Sequence, residues 1–178
     1  RDLHTTLAGQ QWVVTAYLLT LGSLLVVGGS LGDLFGRRRM FVLGLAGFSV
    51  TSLACGLAPS IGVLIVARIL QGVSAAALVP GSLAMLSSVF HPNDRARAIG
   101  SWSGLSSVAT ALGPFLGGWL IDAVSWRWVF LINPVLAAGA IAIAQRWVPE
   151  TRGESESRRI DLPGALLLSV GLAGVVYA

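Results

Sequence analysis

The sequence predicts an all-α integral membrane protein, a helical bundle of about five full transmembrane helices followed by the start of a sixth. Its composition is 54% hydrophobic and only 11% charged, with a mean hydropathy of +0.78. A soluble domain carries roughly a quarter charged residues, because its surface faces water. Long apolar runs recur along the chain, and arginines cluster in the short connections between them. Much of this surface is therefore expected to face lipid.

The apolar runs define the predicted helices. Spanning the hydrocarbon core takes about 20 largely apolar residues, and each unpaired backbone group in lipid costs several kcal/mol, so helices are required. The runs occupy residues 12–31, 40–58, 61–90, 98–121 and 128–148, and a sixth begins near residue 162. We therefore expect a partial transmembrane bundle over 1–148, a cytoplasmic linker over 149–161 and the start of an additional transmembrane helix over 162–178.

The arginines predict the orientation. The connections are short, at 33–39, 59–60, 91–97 and 123–127. One side of the membrane collects Arg37, Arg38, Arg39, Arg95, Arg97, Arg146, Arg152, Arg158 and Arg159, whereas the other holds Arg1 and Arg127. Positively charged connections stay in the cytoplasm, so the first set is predicted to be cytoplasmic in a multi-pass protein of the cell (inner or plasma) membrane. The first run then descends from outside to inside, which predicts an ascending helix before it.

The basic balance does not indicate a nucleic-acid site. The net charge is +4, but all basic residues are arginines in separate short clusters, not one basic face with interleaved aromatic side chains. The single cysteine, Cys55, lies in an apolar run, and His4 and His91 are far apart, so neither a metal site nor a cofactor is predicted. An enzyme would need clustered His, Cys or carboxylate side chains, so we expect no enzymatic activity.

The first arginine-rich connection combines glycines with opposite charges. Glycines allow a tight turn between helices, and an aspartate beside arginines can form an ion-pair latch at the membrane surface. A solvated loop that only sets topology is the alternative at this point. The residues concerned are Gly29, Asp33, Gly36, Arg37 and Arg38.

One arginine lies inside a predicted span. Arg68 is followed by Gln71 and Gly72 in the third run. An arginine in a span costs about 2.5–3.5 kcal/mol on insertion scales, so it must face the bundle interior or water. The alternative is that Arg68 extends its charged end to the outer interface about one turn away.

Small residues and a proline mark the fourth run. Glycines four apart let helices approach closely, and a proline bends a helix by freeing a carbonyl. Helix packing alone could explain this pattern. Its members are Gly113, Pro114, Gly117 and Gly118.

These patterns together resemble the major facilitator superfamily. The first connection reads G-x-L-x-D-x-x-G-R-R, which is similar to the signature loop of that family, and Arg68 begins a matching R-x-x-Q-G element. The fourth run is similar to the family's antiporter motif, G-P-x-x-G-G, although the leading glycine of that motif would fall at Ala109. Residues 126–134 and 160–168 resemble the fourteen-span drug:proton antiporter subfamily (EmrB/QacA type).

The resemblance implies a function and a set of site residues. The chain would be an N-terminal-half fragment that lacks the family's first helix, and the rest of the same chain would be its partner. It would export drugs or hydrophobic cations in exchange for protons and so confer antibiotic resistance. Arg68 and Gln71 would line the proton-coupling cavity, with Tyr17 and Trp102 as substrate contacts. Asp33, Arg37 and Asp94 would form a cytoplasmic latch.

Two points stay open in the sequence. No Asp or Glu lies in the middle of a predicted span, so the proton-carrying carboxylate is expected elsewhere in the complete transporter. The alternative functions are a proton-coupled uptake symporter and a narrow-specificity metabolite exporter on the same fold. Beyond lipid, protons and a small-molecule substrate, the sequence leaves open whether a periplasmic adaptor is recruited.

Overall fold

The structure is a computed structural model that describes residues 6–152 and six helical positions between 164 and 174. The predicted linker beyond residue 152, most of the predicted helix at 162–178, and Arg1, Arg158 and Arg159 lie outside the described residues. The helices of the continuous part are α1 (Leu7–Phe35), α2 (Arg37–Gly56), α3 (Ile61–Val89), α4 (Pro92–Ala123), α5 (Trp128–Leu131) and α6 (Asn133–Trp147).

The helices confirm the five predicted apolar runs. Each of α1 to α4 is long and apolar enough to cross a membrane, and α5 and α6 together form a fifth such segment, Trp128–Trp147. α3 begins after Ser60, whose hydroxyl accepts the backbone N–H of Val63 at 3.4 Å. A hydroxyl in this place satisfies one of the N–H groups that the first turn leaves without a helical partner.

The predicted connection at 33–39 is wrong in its length. α1 runs to Phe35 and α2 begins at Arg37, so a single residue, Gly36, separates the two helices. Gly36 adopts φ 108° and ψ 129°, and its N–H still bonds to the carbonyl of Gly32. A residue without Cβ reaches this conformation at little steric cost, which lets one position reverse the chain. Hydropathy marks only where each helix leaves the hydrocarbon, whereas the helices continue beyond it.

The predicted connection at 91–97 is wrong for the same reason. α4 begins at Pro92, so the segment that contains Arg95 and Arg97 is helical. Proline suits the first turn because it has no N–H to leave unpaired, and Asp94 places a negative charge near the positive end of the helix dipole.

Small residues hold the bundle together. α3 packs against both α1 and α2, and α2 also contacts α5 and α6. The closest approach joins α1 to α3: a Cβ on Gly28 would collide with the backbone of Ala76, and one on Gly72 would lie 2.8 Å from the carbonyl oxygen of Tyr17. In lipid, such close backbone approach is a main source of helix association. It also brings the Arg68 segment of α3 against α1.

α4 stands apart from this bundle. The structure describes all of α4, and none of its residues is buried. Large apolar side chains such as Phe115 and Trp119 are 77% and 64% exposed. Among the helices of residues 6–152, it contacts α3 and α5 only. The tight core of the described residues therefore consists of α1, α2, α3 and the α5–α6 span.

Candidate functional site

Arg68 turns toward α1 and the interior of the bundle. It lies on α3, about two turns from the start of that helix at Ile61. Its Nε donates to the carbonyl oxygen of Val13 at 3.0 Å, and its Nη1 donates to Oε1 of Gln71 at 2.7 Å. The guanidinium carbon sits 4.1 Å from the centre of the Tyr17 ring. The structure therefore brings together three predicted site residues, Arg68, Gln71 and Tyr17.

The partners of Arg68 are neutral. A peptide carbonyl, an amide oxygen and the faces of two aromatic rings surround it, the second ring being Phe130 at 5.8 Å. Within residues 6–152 no carboxylate comes within ion-pair distance of this guanidinium. Hydrogen bonds and cation–π contacts stabilise a cation without cancelling its charge. The site therefore presents a positive charge that is available to an anionic group.

Gln71 is the centre of a buried polar cluster that sequence reasoning missed in part. Its side chain is only 1% exposed. Nε2 of Gln71 donates to Oγ of Ser52, and Nδ2 of Asn133 donates to the same Oγ at 3.1 Å. The thiol of Cys55 lies 3.8 Å from Oε1 of Gln71. The cluster thus joins α3 to α2 and to the start of α6.

Only a weak sequence signal marked the missed members of this cluster. Ser52 carries a hydroxyl in the second apolar run, at 40–58. Asn133 carries an amide near the start of the fifth apolar run, at 128–148. Hydroxyls in membrane helices commonly bond to their own backbone, as Thr51 does with the carbonyl of Gly47 at 2.8 Å. Nothing in the residue type distinguishes Ser52 from Thr51, so only the tertiary contact reveals the difference.

Trp102 does not join this site. It lines an apolar cavity of about 410 Å³ with Leu86 and Phe90, and residues of α2, α3, α4 and α6 all contribute to that cavity. Leu86 lies about five turns along α3 from Arg68, or roughly 27 Å at 1.5 Å per residue. The structure thus separates the two expected substrate contacts: Tyr17 is beside Arg68, and Trp102 is near the other end of α3.

The Arg-rich end, defined here as Asp33, Arg37, Arg38, Arg39 and Glu150, forms a second cluster. Arg37 and Asp33 are paired as the sequence suggests, with Nη2 and Oδ1 2.8 Å apart across the Gly36 turn between α1 and α2. Arg37 also donates from Nη1 to the carbonyl of Ala84 at 3.4 Å, which ties the pair to α3. The loop residues Asp33, Gly36 and Arg37 are therefore brought together.

Glu150 is the member of the Arg-rich end that sequence reasoning did not find. Its Oε1 accepts the backbone N–H of Arg38 at 3.1 Å, and its Oε2 lies 3.7 Å from Nε of both Arg38 and Arg39. The backbone N–H of Arg37 bonds to the carbonyl of Thr151 at 2.9 Å. Gly36 has no side chain to cap α2, so the segment after α6 supplies partners to two of its first N–H groups.

Asp94 stays outside the Arg-rich end. It lies in the first turn of α4, and its backbone N–H bonds to the carbonyl of His91 at 2.9 Å. Across the described stretch of chain, no ion pair links it to Arg37 or to the other arginines of this end. Gly29 packs against α3 instead, since a Cβ there would lie 3.4 Å from the Cβ of Pro80.

The glycines of α4 face open space. At Gly113, Gly117 and Gly118, an added Cβ would meet no atom of the described chain within 4 Å. The helix continues without interruption through Pro114. The described residues therefore supply no helix that uses this small-residue surface.

Comparison with known proteins identifies the fold family. The sequence matches the Major Facilitator Superfamily over residues 1–173. The chain belongs to the major facilitator superfamily. As a member of the major facilitator superfamily with five helices able to span a membrane, it is a multi-pass membrane protein of a transporter family.

Several curated relatives within the major facilitator superfamily are resistance proteins. The chain is 43% identical over its whole length to the puromycin resistance protein pur8 of Streptomyces alboniger, of which it covers 35%. It is 40% identical, over 99% of its length, to the tetracenomycin C resistance and export protein of Streptomyces glaucescens, covering 33% of it. It is 43% identical, over 96% of its length, to the multidrug resistance protein Stp of Mycobacterium tuberculosis, covering 32% of it. The chain spans about a third of the length of these relatives.

Proposed function

We propose that this chain is part of a drug or antibiotic exporter that exchanges its substrate for protons. The observation that carries the proposal is the charge of Arg68, held within a membrane-spanning helix by Val13, Gln71 and Tyr17, all of them neutral partners. An intramembrane ionisable residue is expensive and usually belongs to a substrate or proton path. The names of the relatives, which include puromycin, tetracenomycin C and multidrug resistance proteins, support drug export as the direction.

In the proposed mechanism Arg68 holds a proton-carrying carboxylate in its charged form. Opposite charges a few ångströms apart attract strongly where water is scarce. A proton arriving from outside neutralises the carboxylate and releases it from Arg68, and deprotonation toward the cytoplasm restores the pair. The carboxylate belongs to the remainder of the complete transporter. Gln71 orients Arg68, and the ring of Tyr17 shields the guanidinium and offers a surface to flat hydrophobic substrates.

The Arg-rich end serves as the cytoplasmic latch in this proposal. Alternating access needs the helices around a midplane site to rock as units, with one arrangement held until the substrate is loaded. The Asp33–Arg37 pair joins α1 to α2, and Glu150 ties the end of α6 to the start of α2. Asp94 would approach this latch in another conformation of α4, since α4 has few contacts with the bundle.

The surface of α4 has a separate proposed role. Gly113, Pro114, Gly117 and Gly118 form a small-residue surface that would receive a helix from the remainder of the transporter and seal the antiporter pathway. Trp102 would act at the cytoplasmic end of that pathway. The protein would reside in the cell (inner or plasma) membrane, with 149–161 as the cytoplasmic linker between the bundle and the helix beginning at residue 162.

The proposal is tested in energised inside-out vesicles that contain the full-length protein. A pH-gradient dye is followed while puromycin or the lipophilic cation ethidium is added. Substrate-dependent loss of the gradient in wild-type vesicles, absent in Arg68→Ala, is the expected result. Arg146→Ala is the matched control, because Arg146 is an exposed arginine that lies over the ring of Trp147.

Three outcomes would contradict the proposal in different ways. Exchange that persists in Arg68→Ala would remove Arg68 from the coupling path. No exchange with any tested drug in folded wild-type protein would favour a narrow-specificity metabolite exporter. Proton movement in the same direction as the substrate would establish uptake symport.

A further inference from the structure

We infer that Ser52 and Asn133 are positioning residues for Arg68, and that they act on it through the amide of Gln71. The inference rests on the proposed function of Arg68 and adds two residues, on two other helices, to the coupling site. It follows from three linked hydrogen bonds. They run from Asn133 on α6 to Ser52 on α2, then to Gln71 on α3, and from Gln71 to the guanidinium of Arg68.

The first step concerns which end of the Gln71 amide faces Arg68. A glutamine amide carries an acceptor oxygen and a donor nitrogen on similar shapes, so an isolated side chain can turn either end toward a neighbour. The guanidinium of Arg68 has donors only, and it bonds to Oε1 at 2.7 Å. The reversed amide would place N–H groups against N–H groups. An acceptor for Nε2 on the side away from Arg68 would therefore reinforce the orientation that Arg68 needs.

Ser52 supplies that acceptor. Its Oγ accepts from Nε2 of Gln71, and it is completely buried, at 0% exposure. A serine hydroxyl can also donate, however, and a donating Ser52 would favour the reversed amide. The direction of the Ser52 hydrogen bond thus decides the direction of the whole chain of bonds.

Asn133 helps to fix the direction of that bond. Its Nδ2 donates to Oγ of Ser52 at 3.1 Å and also lies 3.4 Å from the carbonyl of Val129. Two N–H donors therefore converge on one hydroxyl oxygen, which occupies both of its acceptor positions and turns its own proton elsewhere. Asn133 thereby makes Ser52 an acceptor, Ser52 orients Gln71, and Gln71 presents its oxygen to Arg68.

Burial makes it costly for the members of this chain of hydrogen bonds to lose their partners. Ser52 and Gln71 are the buried polar side chains of the core, and in such surroundings a polar group that loses its partner is costly. Because Asn133 begins α6, a movement of the α5–α6 span relative to α2 would lengthen the Asn133–Ser52 bond and loosen the hold on Arg68. The chain of bonds connects the position of that span to the orientation of the coupling arginine.

The test uses the full-length transporter in proteoliposomes and measures drug-driven proton exchange from pH 5 to pH 9. The variants are Ser52→Ala and Asn133→Leu, with Arg68→Lys as the reference for a displaced cation. Thr51→Ala is the matched control, because Thr51 is adjacent on α2 and its hydroxyl bonds only to its own helix. The pH of half-maximal exchange is the decisive readout, since a loss of folded protein lowers the maximal rate without moving that midpoint.

We expect Ser52→Ala and Asn133→Leu to move the midpoint in the same direction as Arg68→Lys. The maximal rate should fall about tenfold for Ser52→Ala, because Gln71 loses the partner that orients it. Thr51→Ala should keep the wild-type midpoint. In a Gln71→Leu background, Ser52→Ala should change the midpoint no further, because the two residues act through the same amide.

Two results would overturn the inference while leaving the proposed function in place. One is a wild-type midpoint in folded Ser52→Ala and Asn133→Leu when Arg68→Lys is shifted. The other is a full additional shift from Ser52→Ala in the Gln71→Leu background. A wild-type midpoint in Arg68→Lys and in Arg68→Ala would instead contradict the proposed function itself.

Discussion

Two arginine clusters of this bundle are stabilised in opposite ways, one by neutral groups and the other by carboxylates. Arg68 lies within a membrane span and is surrounded by a carbonyl, an amide and aromatic faces. At the Arg-rich end, Arg37 pairs with Asp33, and Arg38 and Arg39 share the carboxylate of Glu150. One cluster keeps its charge, whereas the other has its charge largely balanced by carboxylates.

The difference in partners follows from the location of each cluster and determines what each cluster can do. At the membrane surface an ion pair is solvated and adds little stability on its own, but it joins elements at a point where they must separate and rejoin. In the membrane interior, an arginine already paired with a fixed neighbouring carboxylate would not be free to hold the proton-carrying one. A cation held by neutral groups remains able to attract an anion, which supports the proposed coupling role of the interior cluster and the proposed latching role of the surface cluster.

Converting the interior cluster into a balanced one should have the largest effect. Gln71→Glu places a carboxylate where an oxygen now lies 2.7 Å from Nη1 of Arg68. Opposite charges about 4 Å apart attract by roughly 4 kcal/mol at an effective dielectric constant of 20, so exchange should fall at least about a hundredfold. Vesicle exchange assays measure this effect. Gln71→Met is the uncharged control, and wild-type exchange in Gln71→Glu would show that a free charge on Arg68 is not required.

Disturbing the close approach of α1 and α3 beside Arg68 should have the next largest effect. Gly72→Ala puts a Cβ 2.8 Å from the carbonyl oxygen of Tyr17, so we expect a loss of about 1–3 kcal/mol in stability from overpacking. The midpoint of thermal unfolding in detergent is compared between this variant and wild type. Gly62→Ala, on the same helix with nothing within 4 Å of its Cβ, should leave the midpoint unchanged or raise it. Equal midpoints for the two variants would mean that the backbones do not approach closely there.

The Arg-rich end should show a smaller effect when its carboxylate is removed. Glu150→Ala takes away the oxygen that caps the N–H of Arg38, which should cost about 1 kcal/mol. Glu150→Gln keeps an oxygen for that N–H and should retain most of the stability, as judged by the same thermal assay. If the glutamine variant were as unstable as the alanine variant, the charge and not the cap would hold this segment.

Loss of the exposed Asp33–Arg37 ion pair should have the smallest effect on stability. The side chain of Asp33 is 48% exposed, so Asp33→Asn should cost less than about 0.5 kcal/mol. The difference from wild type should shrink as salt is added, because salt screens exposed charges. Unfolding midpoints at low and high salt measure it. A difference that does not depend on salt would indicate a buried pair.

The sequence was sufficient for the parts of the molecule that depend on local pattern. Hydropathy located all five spans of the described region, and an arginine in an apolar run singled out Arg68, whereas Gln71 came from the resemblance to the family's R-x-x-Q-G element. The ion pair of Asp33 and Arg37 also agrees with the expectation that an aspartate beside arginines pairs with one of them, although Gly36 places the two on different helices.

The parts that sequence reasoning missed depend on contacts between distant residues. Glu150 bonds to the backbone of Arg38 across 112 positions of chain, and Asn133 reaches Ser52 across 81. Hydropathy also could not show that Gly36 alone separates two helices, because that depends on a backbone angle and not on polarity. Trp102, on α4, lines a cavity near the opposite end of α3 from Arg68, a location that its residue type alone could not show.

The ratio of proton flux to drug flux tests the division between the two clusters most directly. Both fluxes are measured on the same proteoliposomes for wild type, Arg68→Ala and Arg38→Ala. We predict that Arg68→Ala loses the coupled proton flux, whereas Arg38→Ala changes the rate of exchange and keeps the wild-type ratio. A wild-type ratio in Arg68→Ala, or a ratio that falls equally in both variants, would contradict the assignment of coupling to the interior arginine.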